Sequence, residues 1–107
     1  MATLRAELLF TPDCPNVDRA EMLLRSILFE RGLTVAIDRV PITDLDDAAR
    51  LGFRGSPTVR IDGSDVAPDP NGEVGLSCRL YLQPDGRLDG IPSAEDIRSL
   101  LPATLEP

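Results

Sequence analysis

Apolar residues return at every second position near the start of the chain. Leu4, Ala6, Leu8 and Phe10 alternate with Arg5, Glu7 and Leu9. That is strand period, and it predicts a core face opposite a more polar one. After Pro12 and Pro15 the period changes. Val17, Ala20, Leu23, Leu24, Ile27 and Leu28 recur at three- and four-residue spacing, which predicts an amphipathic helix from Val17 to Arg31. Pro15 suits a first helical turn. Gly32 can close the helix in the left-handed conformation.

Leu33 to Val40 predicts a second strand, with Val35 and Ile37 on one face. Thr43 or Asp44 then caps a short helix ending at Gly52, whose acidic first turn suits the helix dipole. Thr58 to Asp62 predicts a third strand. A Gly-, Pro- and Asp-rich loop from Gly63 to Gly75 leads to a fourth strand, Leu76 to Leu82. Pro84-Asp85-Gly86 is a turn signal. Ser93 caps a last helix, with Asp96 three residues on.

The expected order is β-α-β-α-β-β-α. Helices between the first three strands imply parallel crossovers. A loop alone between the third and fourth implies an antiparallel pair. The predicted class is α/β: one mixed four-stranded sheet with helices on both faces. A chain of 107 residues fits one domain, 1–107, with a core that needs no disulfide staples.

Composition narrows the chemistry. A net charge of −7 repels a nucleic-acid backbone, so no nucleic-acid partner is expected. No apolar run approaches membrane-span length, so no membrane partner is expected. The N-terminal residues lack a signal peptide's basic start and apolar stretch, which makes the cytoplasm the expected compartment. Reductants there keep both cysteines as thiols. There is no His, and all 11 basic residues are Arg. His-based triads, His-ligated zinc and Lys Schiff bases are therefore excluded within this chain. Cysteine, carboxylates, Arg and backbone dipoles are what is left.

Cys14 stands in Thr11-Pro12-Asp13-Cys14-Pro15-Asn16-Val17, between the first strand and the first helix. Unpaired N–H groups and the dipole of a helix N-terminus favour a thiolate there, and the thiolate is the form that attacks disulfides. Asp13 opposes that anion. Arg54 offsets Asp13 if its loop folds toward the site. Further on, Gly55-Ser56-Pro57-Thr58-Val59 brings a proline into the third strand.

On Cys14-Pro15-Asn16-Val17 and Ser56-Pro57-Thr58 the whole chain resembles a small thioredoxin-like protein. The resemblance implies a cis bond before Pro57. It also implies that Pro15, Ser56, Pro57 and Thr58 border an extended substrate near an exposed Cys14 thiol. The implied activity is thiol–disulfide chemistry on a small thiol or a protein disulfide. Oxidoreductases of that kind carry Cys-x-x-Cys, whereas here Val17 stands in the second position. No thiol three residues away can resolve a mixed disulfide.

Cys78 shares an alternating face with Leu76, Leu80 and Leu82, which predicts a buried, inert cysteine. A second resemblance competes with that reading. A cysteine ahead of a helix, an acidic residue after it and a distant second cysteine are similar to organomercurial (alkylmercury) lyases. This implies a soft metal held by Cys14 and Cys78, with Asp18 handling the proton. The residue at that family's cysteine-to-aspartate spacing is Val17. Strand order argues against convergence. In an antiparallel hairpin, four or five residues at ~3.4 Å each leave the two cysteines roughly 15 Å apart, beyond the ~7 Å Cα separation a disulfide tolerates.

Three readings stay open: a thiol–disulfide protein, a soft-metal or organomercurial site using Cys14 with Cys78, and a non-catalytic adaptor binding at the Pro57 groove. No cofactor is expected. Asp62, Asp65, Asp69, Asn71 and Glu73 lack EF-hand spacing and read as a solvated loop.

Overall fold

The computed structural model describes residues 4–69 and 71–102. The elements in chain order are β1 (Ala6–Phe10), α1 (Val17–Glu30), β2 (Ile37–Pro41), α2 (Leu45–Leu51), β3 (Thr58–Ile61), β4 (Ser64–Asp65), β5 (Tyr81–Leu82), β6 (Leu88–Asp89) and α3 (Ala94–Leu100). A mixed four-stranded sheet in the order β2-β1-β3-β4 forms the centre, and β5 and β6 make a separate hairpin.

Local signals act where they are written. Gly32 ends α1 at φ 67°. There the Leu33 N–H reaches the Leu28 carbonyl and the Gly32 N–H reaches Phe29, the paired bonds of a Schellman close. Asp44 caps α2 by accepting from the Asp47 N–H, and Gly52 closes it at φ 63°. That close turns Phe53 inward, where it is fully buried. Ser93 caps α3 by accepting from the Asp96 N–H. Helix α1 starts at Val17, so Pro15 lies outside it. Asn16 is the cap residue and makes no capping bond with its side chain.

Both faces of the sheet are covered. Ala6 and Leu8 pack with Leu24 and Ile27 of α1 and Ile97 of α3. Leu9 points the other way, toward Ala48 of α2 and Phe53. Leu9 was expected on the more polar face but is buried, because α2 covers the side that strand alternation leaves over.

Two expectations about the strands are corrected, one of direction and one of partner. β1 and β2 are parallel, but β3 runs antiparallel to β1, with Leu8 opposite Val59 and Leu9 opposite Thr58. The reason is length. The 14 residues of α1 return the chain along the sheet. The seven residues of α2 rise only about 10 Å, less than a five-residue strand spans. The chain therefore enters β3 from the end where β2 finished.

The partner of β3 also differs. It is not the 76–82 segment but β4, paired through Ile61 opposite Ser64. Asp62 and Gly63 form the turn, both with positive φ, 51° and 84°. Asp-Gly with two positive φ values matches the right-handed twist of a hairpin. Residues 76–80 are not a strand. Their one ladder contact is a parallel bridge between Cys78 and Ser56. Among the described residues, no helix is long and apolar enough to cross a membrane.

Candidate functional site

The site forms where β1 ends and β3 begins. Those two ends meet because the strands are antiparallel. Cys14 sits in the turn after β1, with its N–H on the Thr11 carbonyl at 3.0 Å. The Thr11 N–H donates to the Ser56 hydroxyl at 3.0 Å, which ties that turn to the residue before Pro57. The Ser56–Pro57 bond is cis.

A strap, residues 75–79, closes over this junction. The Gly75 N–H donates to the Phe53 carbonyl at 3.1 Å. The Ser56 N–H donates to Ser77, and the Arg79 N–H to the Ser56 carbonyl, both at 3.0 Å. The edge of Ser56 is thus fully paired with the chain's own backbone. Gly55 makes the close approach feasible. It lies at φ 129°, and a Cβ there would come within 3.0 Å of the Ser77 carbonyl oxygen and the Arg79 Cβ.

Arg79 anchors the strap. It is buried, and its guanidinium donates to Asp65 at 2.7 Å, to the Thr58 hydroxyl at 3.2 Å and to the Ala67 carbonyl. The same group stacks 4.5 Å from the Tyr81 ring centroid. The Tyr81 hydroxyl donates to the Pro57 carbonyl. Alternation along the segment is therefore inverted from expectation. Arg79 and Tyr81 point inward, while Leu76, Cys78, Leu80 and Leu82 are exposed. An inward Arg is stable here because Asp65, Thr58 and Ala67 supply acceptors to it.

This arrangement corrects the expected placement of Cys78 at the end of the sheet remote from Cys14. The strap runs parallel to Ser56, not as the return arm of a hairpin, so Cys78 lies at the same end of the sheet as Cys14. Both line one cavity of about 380 Å³, together with Asp13, Ile42 and Leu76. Their exposure is also reversed. Cys14 is 8% exposed and buried, and Cys78 is the exposed thiol.

The other expected site residues fall as follows. Ser56, Pro57 and Thr58 are fully buried beneath the strap and do not line the cavity. Pro15 is exposed and does not line it either. Asp18 does not line the cavity; it is 84% exposed and paired with Arg39 at 2.9 Å. Arg54 turns instead to the Gly72 carbonyl. Among the described residues, no three His, Cys, Asp or Glu side chains gather as a metal site. Arg79 and Tyr81 are not singled out by the sequence, and Asp65, expected in a solvated loop, is instead largely buried as the carboxylate partner of Arg79. The Asp62-Gly63 turn was the available signal, since it frees the later segment from the hairpin.

Tyr81 gives a pH test of this packing. Burial, the largest effect, pushes its phenol far above the ordinary value of 10.0, against a smaller opposing pull from Arg79. The folded chain therefore holds the proton more tightly than the unfolded chain. Its contribution to stability is complete below about pH 10 and is lost as pH rises beyond, where only the unfolded chain ionises. Urea unfolding from neutral to strongly alkaline pH should show that loss, and Tyr81→Phe should remove it. Tyr81 is the chain's one tyrosine, so absorbance titration of the phenol reads it directly.

Comparisons with family models, curated proteins and solved structures find no match for this chain.

Proposed function

We propose that this is a thioredoxin-like dithiol protein whose redox pair is Cys14 and Cys78. One observation carries the reading: the two thiols line the same cavity, one buried and one exposed. The sheet order β2-β1-β3-β4 and the cis bond before Pro57 beside the cysteine turn support the fold assignment. The missing second cysteine of Cys-x-x-Cys is then supplied from the strap.

Access orders the two steps. Thiol–disulfide exchange needs the thiolate to reach a sulfur along the S–S axis. Cys78, exposed, meets the substrate disulfide first and forms a mixed disulfide, releasing one thiolate. Cys14 then attacks the Cys78 sulfur and releases the second thiolate. The substrate disulfide gains two electrons, and the protein dithiol becomes the Cys14–Cys78 disulfide. An external dithiol returns it to the reduced form.

Mild oxidation with diamide followed by peptide mapping tests this. The expected product is an intramolecular Cys14–Cys78 disulfide, formed at a rate independent of protein concentration. Intermolecular dimers as the main product would reject the pair.

The same two thiols favour a second reading, a soft-metal site, since Hg(II) prefers thiolate ligands. One Hg(II) per chain is expected at both low and high protein concentration, with either Cys→Ser change weakening it sharply. One metal per two chains would show that the thiols do not converge.

A further inference from the structure

We infer that the dithiol site acts on small, uncharged or cationic disulfides and gives extended polypeptides no advantage. The inference rests on the Cys14–Cys78 reading above and adds a substrate class to it. Two observations carry it independently.

The first is the closed edge. A polypeptide that pairs with the backbone before Pro57 needs the Ser56 N–H and carbonyl. Both are taken by Ser77 and Arg79 of the same chain. To admit a peptide strand, the strap must leave. Losing two backbone hydrogen bonds alone lowers the open fraction by about ten- to a hundredfold. The buried Arg79, held by Asp65, Thr58 and Ala67, lowers it further. The strap is a fixed wall of the site.

The second is the charge and size of what is left open. The cavity between the thiols is about 380 Å³, within the range of small-molecule sites. Asp13 is the one charged side chain among the described residues that line it, and no Arg is there. The chain has neither Lys nor His, and its net charge is −7. A dianionic disulfide meets Asp13 and the overall field with the same sign. A dicationic one of equal length is drawn in.

Single-turnover reaction of the reduced protein tests both arms, with formation of the Cys14–Cys78 disulfide followed by mass. The probes are cystamine, hydroxyethyl disulfide and dithiodipropionate, which share a size and differ in charge, together with insulin as the polypeptide. At low ionic strength cystamine should react roughly tenfold faster than dithiodipropionate, with hydroxyethyl disulfide between them. Salt should compress that ratio. Asp13→Asn should also reduce it, which separates the local carboxylate from net charge. Insulin should react no faster than hydroxyethyl disulfide. Gly55→Ala and Asp65→Asn, which loosen the strap by different routes, should each raise the insulin-to-hydroxyethyl disulfide ratio, with circular dichroism confirming the fold.

Dithiodipropionate matching cystamine, or insulin outrunning hydroxyethyl disulfide in the wild type, would overturn the substrate assignment while leaving the dithiol intact. If no probe yields the intramolecular disulfide and diamide does not either, the dithiol reading itself falls, and this inference with it.

Discussion

In Cys14→Ser protein, a small disulfide such as hydroxyethyl disulfide is expected to stay attached to Cys78 as a stable mixed disulfide. The exposed Cys78 can still attack, but the thiol that would release the adduct is gone. Mass spectrometry should find one adduct per chain, accumulating at close to the wild-type rate of first thiolate release. Cys78→Ser should behave oppositely. Its remaining thiol is only 8% exposed, so adduct formation should slow by about a hundredfold, since exchange depends on access as well as thiolate content. The wild type should show neither adduct at the end, only the loss of two thiols. If Cys78→Ser accumulates the adduct and Cys14→Ser does not react, the order of attack is reversed and Cys14 is the entering thiol. That outcome would restore the role first read for Cys14 from its place before the helix.

Arg79→Ala is expected to destabilise the fold by about 3 kcal/mol, because it leaves the half-buried Asp65 without its cation and several acceptors without a donor. For a domain of this size that is a fall in Tm of roughly 15 °C. Asp65→Asn should cost less, since the amide oxygen can still accept from Arg79. Arg79→Met with Asp65→Asn should recover part of the loss, because it removes both charges and keeps most of the volume. The site reports the same change. Without Arg79 the strap loses its anchor beneath Cys78, so diamide should form the Cys14–Cys78 disulfide more slowly. A Tm within two or three degrees of wild type, a shift worth under about 1 kcal/mol, would show that the strap is held by its backbone bonds alone.

The sequence by itself determined the local structure. Gly32 and Gly52 end helices, and Asp44 and Ser93 begin them, through bonds a few residues long. The apolar spacing of Ala20, Leu24, Ile27 and Leu28 sets the buried face of α1 without help from elsewhere. The first cysteine between a strand and a helix, and the proline opening another strand, were legible for the same reason. Tertiary structure decided the direction of β3, because α2 is too short to carry the chain back along the sheet. It also decided the place of Cys78. Alternation along 76–82 gave Leu76, Cys78, Leu80 and Leu82 the inward face, since apolar side chains usually take it. Arg79 took that face instead, because Asp65, Thr58 and Ala67 converge on it from elements up to 21 residues away. Each charged or polar partner is unremarkable where it stands in the chain, and their meeting depends on the Asp62-Gly63 turn and the path after it. That convergence turns Cys78 outward and lays its backbone against Ser56, so the presence of two thiols, distant in sequence, at one cavity is a property of the packed chain and not of any local pattern.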